Sequence, residues 1–149
     1  MVRFRSVLAA VLGVLSAGCS RSPLPDDALP TYPITGALTY EGKPMDGVAI
    51  AFVPVAPASK WRTPSSSGRA DQDGRYTLNT YLTADGAPAG EYIVTIYWPE
   101  PRNGKSPALE SPNTPLAPDR LKGIYAVPKT SKLRVTVEPK ENIIDFDLP

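Results

Sequence analysis

Residues Gly68–Trp98 read GRADQDGRYTLNTYLTADGAPAGEYIVTIYW, and the fold turns on this stretch. Asp73-Gly74 is a tight-turn dipeptide, because glycine reaches the positive φ of short hairpins without steric cost. After it Tyr76, Leu78 and Thr80 alternate with Arg75, Thr77 and Asn79. Residues 85–90, DGAPAG, make a second loop. Beyond that loop Tyr92, Val94, Ile96 and Trp98 alternate with Ile93, Thr95 and Tyr97. A period of two held over this length predicts strands with one face buried, here three strands and two turns.

The pattern extends outward in both directions. Ile34, Gly36, Leu38 and Tyr40 mark a first strand, and Glu41-Gly42-Lys43-Pro44 a turn. Val48, Ile50 and Phe52 mark a second strand. Its other face, Ala49, Ala51 and Val53, is also apolar, so this strand is expected to be central or covered on both sides. Pro54 and Pro57 end it, since proline donates no ladder hydrogen bond. The polar loop that follows holds Lys60, Trp61 and Arg62. An aromatic between two cations suits a sugar ring or a phosphate, and equally a cap over the end of the fold.

Pro99–Pro118 contains six prolines and no apolar period, a loop of the length that is usually functional or disordered. A single helical turn is expected over Pro118–Gly123, with Gly123 ending it. In the last pair, Leu133, Val135 and Val137 alternate with polar residues. Pro139–Asn142 turns the chain, and Ile144, Phe146 and Leu148 alternate with Asp145 and Asp147. Paired as a hairpin, these strands set Lys132 and Arg134 across from Asp145 and Asp147, where ion pairs serve register and solubility. About seven strands with Pro/Gly turns and no long helix predict an all-β chain, a single antiparallel Greek-key β-sandwich.

Composition narrows the chemistry. A chain of 149 residues suits one domain with a core that needs no staples. It has no histidine and one cysteine, which excludes an internal disulfide, a Ser-His-Asp or Cys-His centre and a histidine-based metal site. Residues 71–74, DQDG, resemble the start of a calcium loop. The twelfth position, however, is Leu82, which is no ligand, and the flanks are strands, so the motif reads as turn chemistry. No metal and no cofactor is expected. The net charge of +1 implies no nucleic-acid partner.

The first residues read as an export signal. Arg3 and Arg5 precede an apolar run, Val7–Leu15, too short to span a hydrocarbon core of ~30 Å. Small residues then lead to Cys19. This layout resembles a bacterial lipoprotein lipobox, with Ser16 at the position usually held by Leu and Leu15 one place earlier. The resemblance implies cleavage after residue 18 and lipid on Cys19, and acyl chains contribute about 0.8 kcal/mol per buried CH₂. Loss of Arg3 and Arg5 leaves 14 cations against 15 acids. Ser20 is not the Asp associated with inner-membrane retention, so the outer membrane is favoured. Residues 19–31 are expected to be a flexible, proline-rich tether, with Asp26 and Asp27 solvated on it, and residues 32–149 the sandwich.

The segments ITGALTYEGKPMDGVAIAFVP, GRADQDGRYTLNT, GAPAGEYIVTIYWP and KLRVTVEPKENIIDFDL resemble the carboxypeptidase regulatory-like, or transthyretin-like, β-sandwich. More narrowly, they are similar to small bacterial lipoproteins that carry this domain alone. The resemblance spans about Thr31–Leu148. Its most specific pieces are Glu41-Gly42-Lys43-Pro44 with Gly47, Asp73-Gly74-Arg75-Tyr76, and Pro88-Ala89-Gly90-Glu91-Tyr92. These are fold motifs, so they imply architecture more than activity. A related hydrolase of purine degradation depends on histidines, which this chain lacks. In carboxypeptidases the domain accompanies a separate zinc protease domain.

The resemblance therefore implies a non-catalytic, monomeric cell-envelope module. It would be held to a membrane through Cys19 and act in protein interaction or as a spacer. The alternative is a carbohydrate- or polymer-binding module, with Trp61, Tyr81 and Tyr97 as candidate stacking residues and Trp98 and Tyr92 as core.

Overall fold

A computed structural model describes residues 24–55, 63–101 and 116–149. Its axis is β2 (Ile34–Tyr40), which carries partners along both edges. On one edge lie β3 (Lys43–Pro44) and β6 (Arg75–Thr77), both antiparallel to it. On the other lie β10 (Asn142–Ile143) and β11 (Phe146–Leu148), both parallel to it. The second sheet has the order β5-β4-β8-β9, all antiparallel, from β5 (Ser66–Arg69), β4 (Ala49–Pro54), β8 (Gly90–Tyr97) and β9 (Arg134–Val137). A small ribbon of β1 (Thr31–Tyr32) and β7 (Ala87–Pro88) closes one end. No helix occurs among the described residues.

The inward faces are those the alternation marks. Ile34 and Leu38 from β2, Ile50 and Phe52 from β4, and Tyr92, Val94 and Ile96 from β8 are all buried in one shared core. Aromatic contacts tie the two sheets together. Phe52 meets Phe146 edge-on at 6.5 Å, and Tyr40 meets Trp98 at 5.7 Å. β4 is central, between β5 and β8, which accounts for its apolar outer face of Ala49, Ala51 and Val53.

The Asp73-Gly74 turn links the sheets, because β5 pairs with β4 while β6 pairs with β2. Asp71 organises it, its Oδ1 accepting from the amides of Asp73 and Arg75, both at 2.9 Å. Gly74 takes φ +73°, and its carbonyl accepts from the Leu38 amide at 2.8 Å. A side chain there would be strained by the backbone angle and crowded by the Leu38 carbonyl.

Three expectations are corrected. The pairing is mixed, since the C-terminal strands run parallel to β2. The last two strands form no hairpin. β9 joins β8 in one sheet and β11 joins β2 in the other, so Lys132 and Arg134 do not face Asp145 and Asp147. The residues after Pro118 make successive turns, with Lys122 donating to the Asp119 carbonyl at 2.9 Å and Ile124 to that of Leu121 at 3.1 Å, and no helical turn. Among the described residues there are eleven short strands, four of them two-residue pieces.

Two buried phenols give the core a pH dependence. Tyr76 donates to the Ile144 carbonyl at 2.6 Å, and burial, then the Asp145 carboxylate, push its pKa above the ordinary range. Tyr92 donates to the Pro88 carbonyl at 2.8 Å, and burial, then Tyr81, push its pKa up to about 12. A raised folded-state pKa means stability that is complete below about pH 10, the unfolded value, and lost as pH climbs toward the folded value. Unfolding free energies from urea titrations are expected to stay level up to about pH 9.5. They should then fall at up to about 1.4 kcal/mol per pH unit for each phenol, and Tyr92→Phe should remove about half of that slope. A flat profile to pH 12 would contradict this assignment.

Candidate functional site

A trough of about 1000 Å³ crosses the outer face of the β10-β2-β6 sheet. Its floor follows from the residues on the outward phase of β2. Ile34 and Leu38 point into the core, so Thr35 and Ala37 point out, and both are small. Cross-strand register supplies the walls. Thr35 lies between Ile143 and Thr77, and Ala37 stands opposite Arg75. The Asp71–Asp73 turn and Arg69 close one end.

The wall opposite Arg75 is built by a break in the ladder. The Ile144 amide still donates to the Thr35 carbonyl at 2.9 Å, but the next residue leaves the regular register. The side chain of Asp145 fills the gap, its Oδ1 accepting from the Ala37 amide at 2.7 Å. Two residues further along both strands, Asp147 Oδ1 accepts from the Thr39 hydroxyl at 2.6 Å. A carboxylate thus stands on one side of Ala37 and the Arg75 guanidinium on the other. Arg69 is committed to the Gly47 carbonyl at 2.7 Å. Ile143, three-quarters exposed, adds an apolar lip.

This arrangement offers donors on one wall, acceptors on the other and a flat floor between them. It suits an extended polar chain that exchanges hydrogen bonds across its width. Asp71, the first acid of the calcium-like stretch, spends one oxygen on two amides, and no group of three potential metal ligands occurs among the described residues.

The residues singled out from the sequence lie elsewhere. Cys19, Lys60, Trp61 and Arg62 fall outside the described residues. Tyr81 is half-buried beside the β1–β7 end, its hydroxyl accepting from the Leu29 amide at 3.1 Å. Tyr97 is half-buried on the outer face of the other sheet, donating to the Ala117 carbonyl. Tyr81 lies by the β1–β7 ribbon, just ahead of the start of β8, and Tyr97 is the last residue of β8, so the two form no common platform. Trp98 is core. Its Nε1 donates to the Asp46 carbonyl at 3.0 Å, and the Arg120 guanidinium lies 3.4 Å from its ring centroid. Asp26 and Asp27 are exposed, as expected.

The trough residues escaped the sequence reading because each is ordinary alone. Their one signal is a run of small residues, Thr35 and Ala37, on the outward phase of a central strand, and its meaning depends on which strands become neighbours. Comparison with protein-family models, with curated proteins and with solved structures finds no match to this chain.

Proposed function

We propose that the chain is a non-catalytic, lipid-anchored cell-envelope module of the carboxypeptidase regulatory-like type. In this reading its core is a Greek-key sandwich of about seven principal strands, and the trough over Thr35 and Ala37 holds an extended segment of a protein partner. The observation that carries the reading is where the polar groups are placed. Asp71, Asp85, Asp119 and Asp145 each cap backbone amides, so these carboxylates serve the fold, while Arg75 and the second oxygen of Asp145 border an open groove. The separation of Tyr81 from Tyr97 and the burial of Trp98 favour a peptide over a stacked sugar.

Two measurements test it. In the native cell, Cys19→Ser is expected to move the protein from the membrane fraction to the soluble fraction, and retention in the membrane would reject the anchor. With the tagged full chain, Ala37→Trp and Arg75→Glu are expected to weaken capture of an envelope partner by about tenfold or more. Arg75 is exposed and Ala37 is half-buried with its side chain on the trough floor, so Arg75→Glu is expected to leave the melting temperature unchanged, and the melt of Ala37→Trp checks that the variant is folded. Capture of a polysaccharide, lost on Trp61→Ala or Tyr97→Ala and untouched by the trough variants, would replace the protein reading with the carbohydrate one.

A further inference from the structure

Charge is distributed unevenly over this fold. Residues 116–134 form a lobe of turns along the edge of β8, joined to it by the Ile96 amide donating to Tyr125 at 2.9 Å and the Val94 amide donating to Leu133 at 3.0 Å. The lobe carries five exposed cations, Arg120, Lys122, Lys129, Lys132 and Arg134. Its one acid, Asp119, is turned inward, both oxygens taken by the amides of Trp98, Leu121 and Gly123. The rest of the described residues hold thirteen acids against four cations. None of the five lobe cations is in an ion pair, for the one salt bridge among the described residues is Lys140–Glu138.

The same lobe exposes aliphatic side chains: Leu116 is 84% exposed, Ile124 56% and Val127 48%. Cations interspersed with exposed aliphatics match an anionic bilayer, where the charges meet headgroups and the aliphatics enter the acyl boundary. A soluble polyanion would reward only the charges. We infer that residues 116–134 dock the domain on an anionic phospholipid surface. This goes beyond the proposed function and does not rest on lipid at Cys19. The lobe begins at the Trp98 end of β8, whereas the N-terminal chain enters at the other end, through Leu29 and β1. The docking surface and the point of attachment are therefore distinct.

The test uses the full chain with Cys19→Ala, which removes the sole cysteine and any acylation. An environment-sensitive nitrobenzoxadiazole label is then placed at Val127→Cys, or at Leu82→Cys near the other end. On phosphatidylcholine vesicles containing about one-third phosphatidylglycerol, emission at position 127 is expected to brighten and shift to the blue, while position 82 stays unchanged. Neutral vesicles and half-molar salt should abolish the shift, because the attraction is electrostatic. The combined variant Lys122→Glu, Lys129→Glu, Lys132→Glu is expected to lower the signal-derived partition by about 100-fold or more, at roughly fivefold per charge removed. An apolar N-terminus that enters vesicles brings the chain to any bilayer but does not bury position 127 on anionic ones alone.

Absence of the shift at position 127, an equal shift on neutral vesicles, or a triple variant that partitions like the parent would each overturn the inference. So would dextran sulfate binding as tightly with no blue shift on vesicles, which would mark a polyanion site. Failure of the anchor reading appears separately, in the fractionation of the Cys19 variant.

Discussion

Gly36→Ala is expected to cost about 3 kcal/mol or more, the largest loss from any single methyl group in the sheet. Gly36 lies in the middle of β2 on its inward phase, beneath the break between β10 and β11. A Cβ there would sit 1.8 Å from the Ile144 carbonyl oxygen, 2.7 Å from its carbon and 2.9 Å from Tyr76 Cε1. Two of those three atoms are backbone, so no rotamer change relieves the overlap. The Ile144 oxygen cannot swing away freely, because it accepts from the Tyr76 hydroxyl and its own amide is held by Thr35. The control is Gly42→Ala, at φ +73° but with nothing within 4 Å, where only the backbone penalty of about 1 kcal/mol applies. Urea unfolding of both variants measures the contrast, and a loss below about 1 kcal/mol at Gly36 would mean that the strand break is not as described.

Asp119→Ala is expected to cost about 2–4 kcal/mol and to loosen Trp98. The carboxylate accepts from the amides of Trp98 at 3.0 Å, Leu121 at 3.1 Å and Gly123 at 2.9 Å, and so closes the return of the chain onto β8. Truncation leaves three donors without their acceptor, at about 1–3 kcal/mol for each that water does not reach. It also frees the neighbouring Arg120, whose guanidinium stacks on the Trp98 ring. Asp119→Asn is the sharper variant. An amide whose oxygen takes the place of Oδ1 keeps the bonds from Trp98 and Leu121, but its NH₂ then faces the Gly123 amide, donor against donor. About half of the loss is therefore expected from it. Arg120→Ala removes only an exposed cation–π contact and is expected to cost about 0.5–1 kcal/mol. Thermal melts with near-ultraviolet dichroism check the series, and equal effects of Asn and Ala would contradict the shared-acceptor geometry.

Such aspartates were legible only in part. Asp85 stands next to a turn glycine and Asp71 three residues before one, where short acceptors are expected, and both cap amides. Asp119 follows a proline after a long loop, and nothing local ties it to Trp98, 21 residues away. The same divide separates the strands. Tyr92, Val94 and Ile96 show their burial through alternation alone, because the period of a strand is a local property. The partner of that strand is not local. Leu133–Val137 and Ile144–Leu148 look like a hairpin, since a short proline-containing turn separates them. The structure instead sends β9 to β8 and the later strands to β2.

The sequence by itself determined that this chain is all-β, where its principal strands run, which face of each is buried and which glycines make the turns. These follow from side-chain periodicity and from the φ that each residue tolerates, both properties of a few neighbouring residues. Only the tertiary structure decided which strands lie side by side, and with that the parallel C-terminal pairing, the ladder break that Asp145 fills, the trough over Ala37 and the turn lobe that Asp119 closes. Those features depend on contacts between residues 20 to 108 positions apart, and the free energy that selects among such pairings comes from how well the two sheets fill one core, which no local pattern encodes.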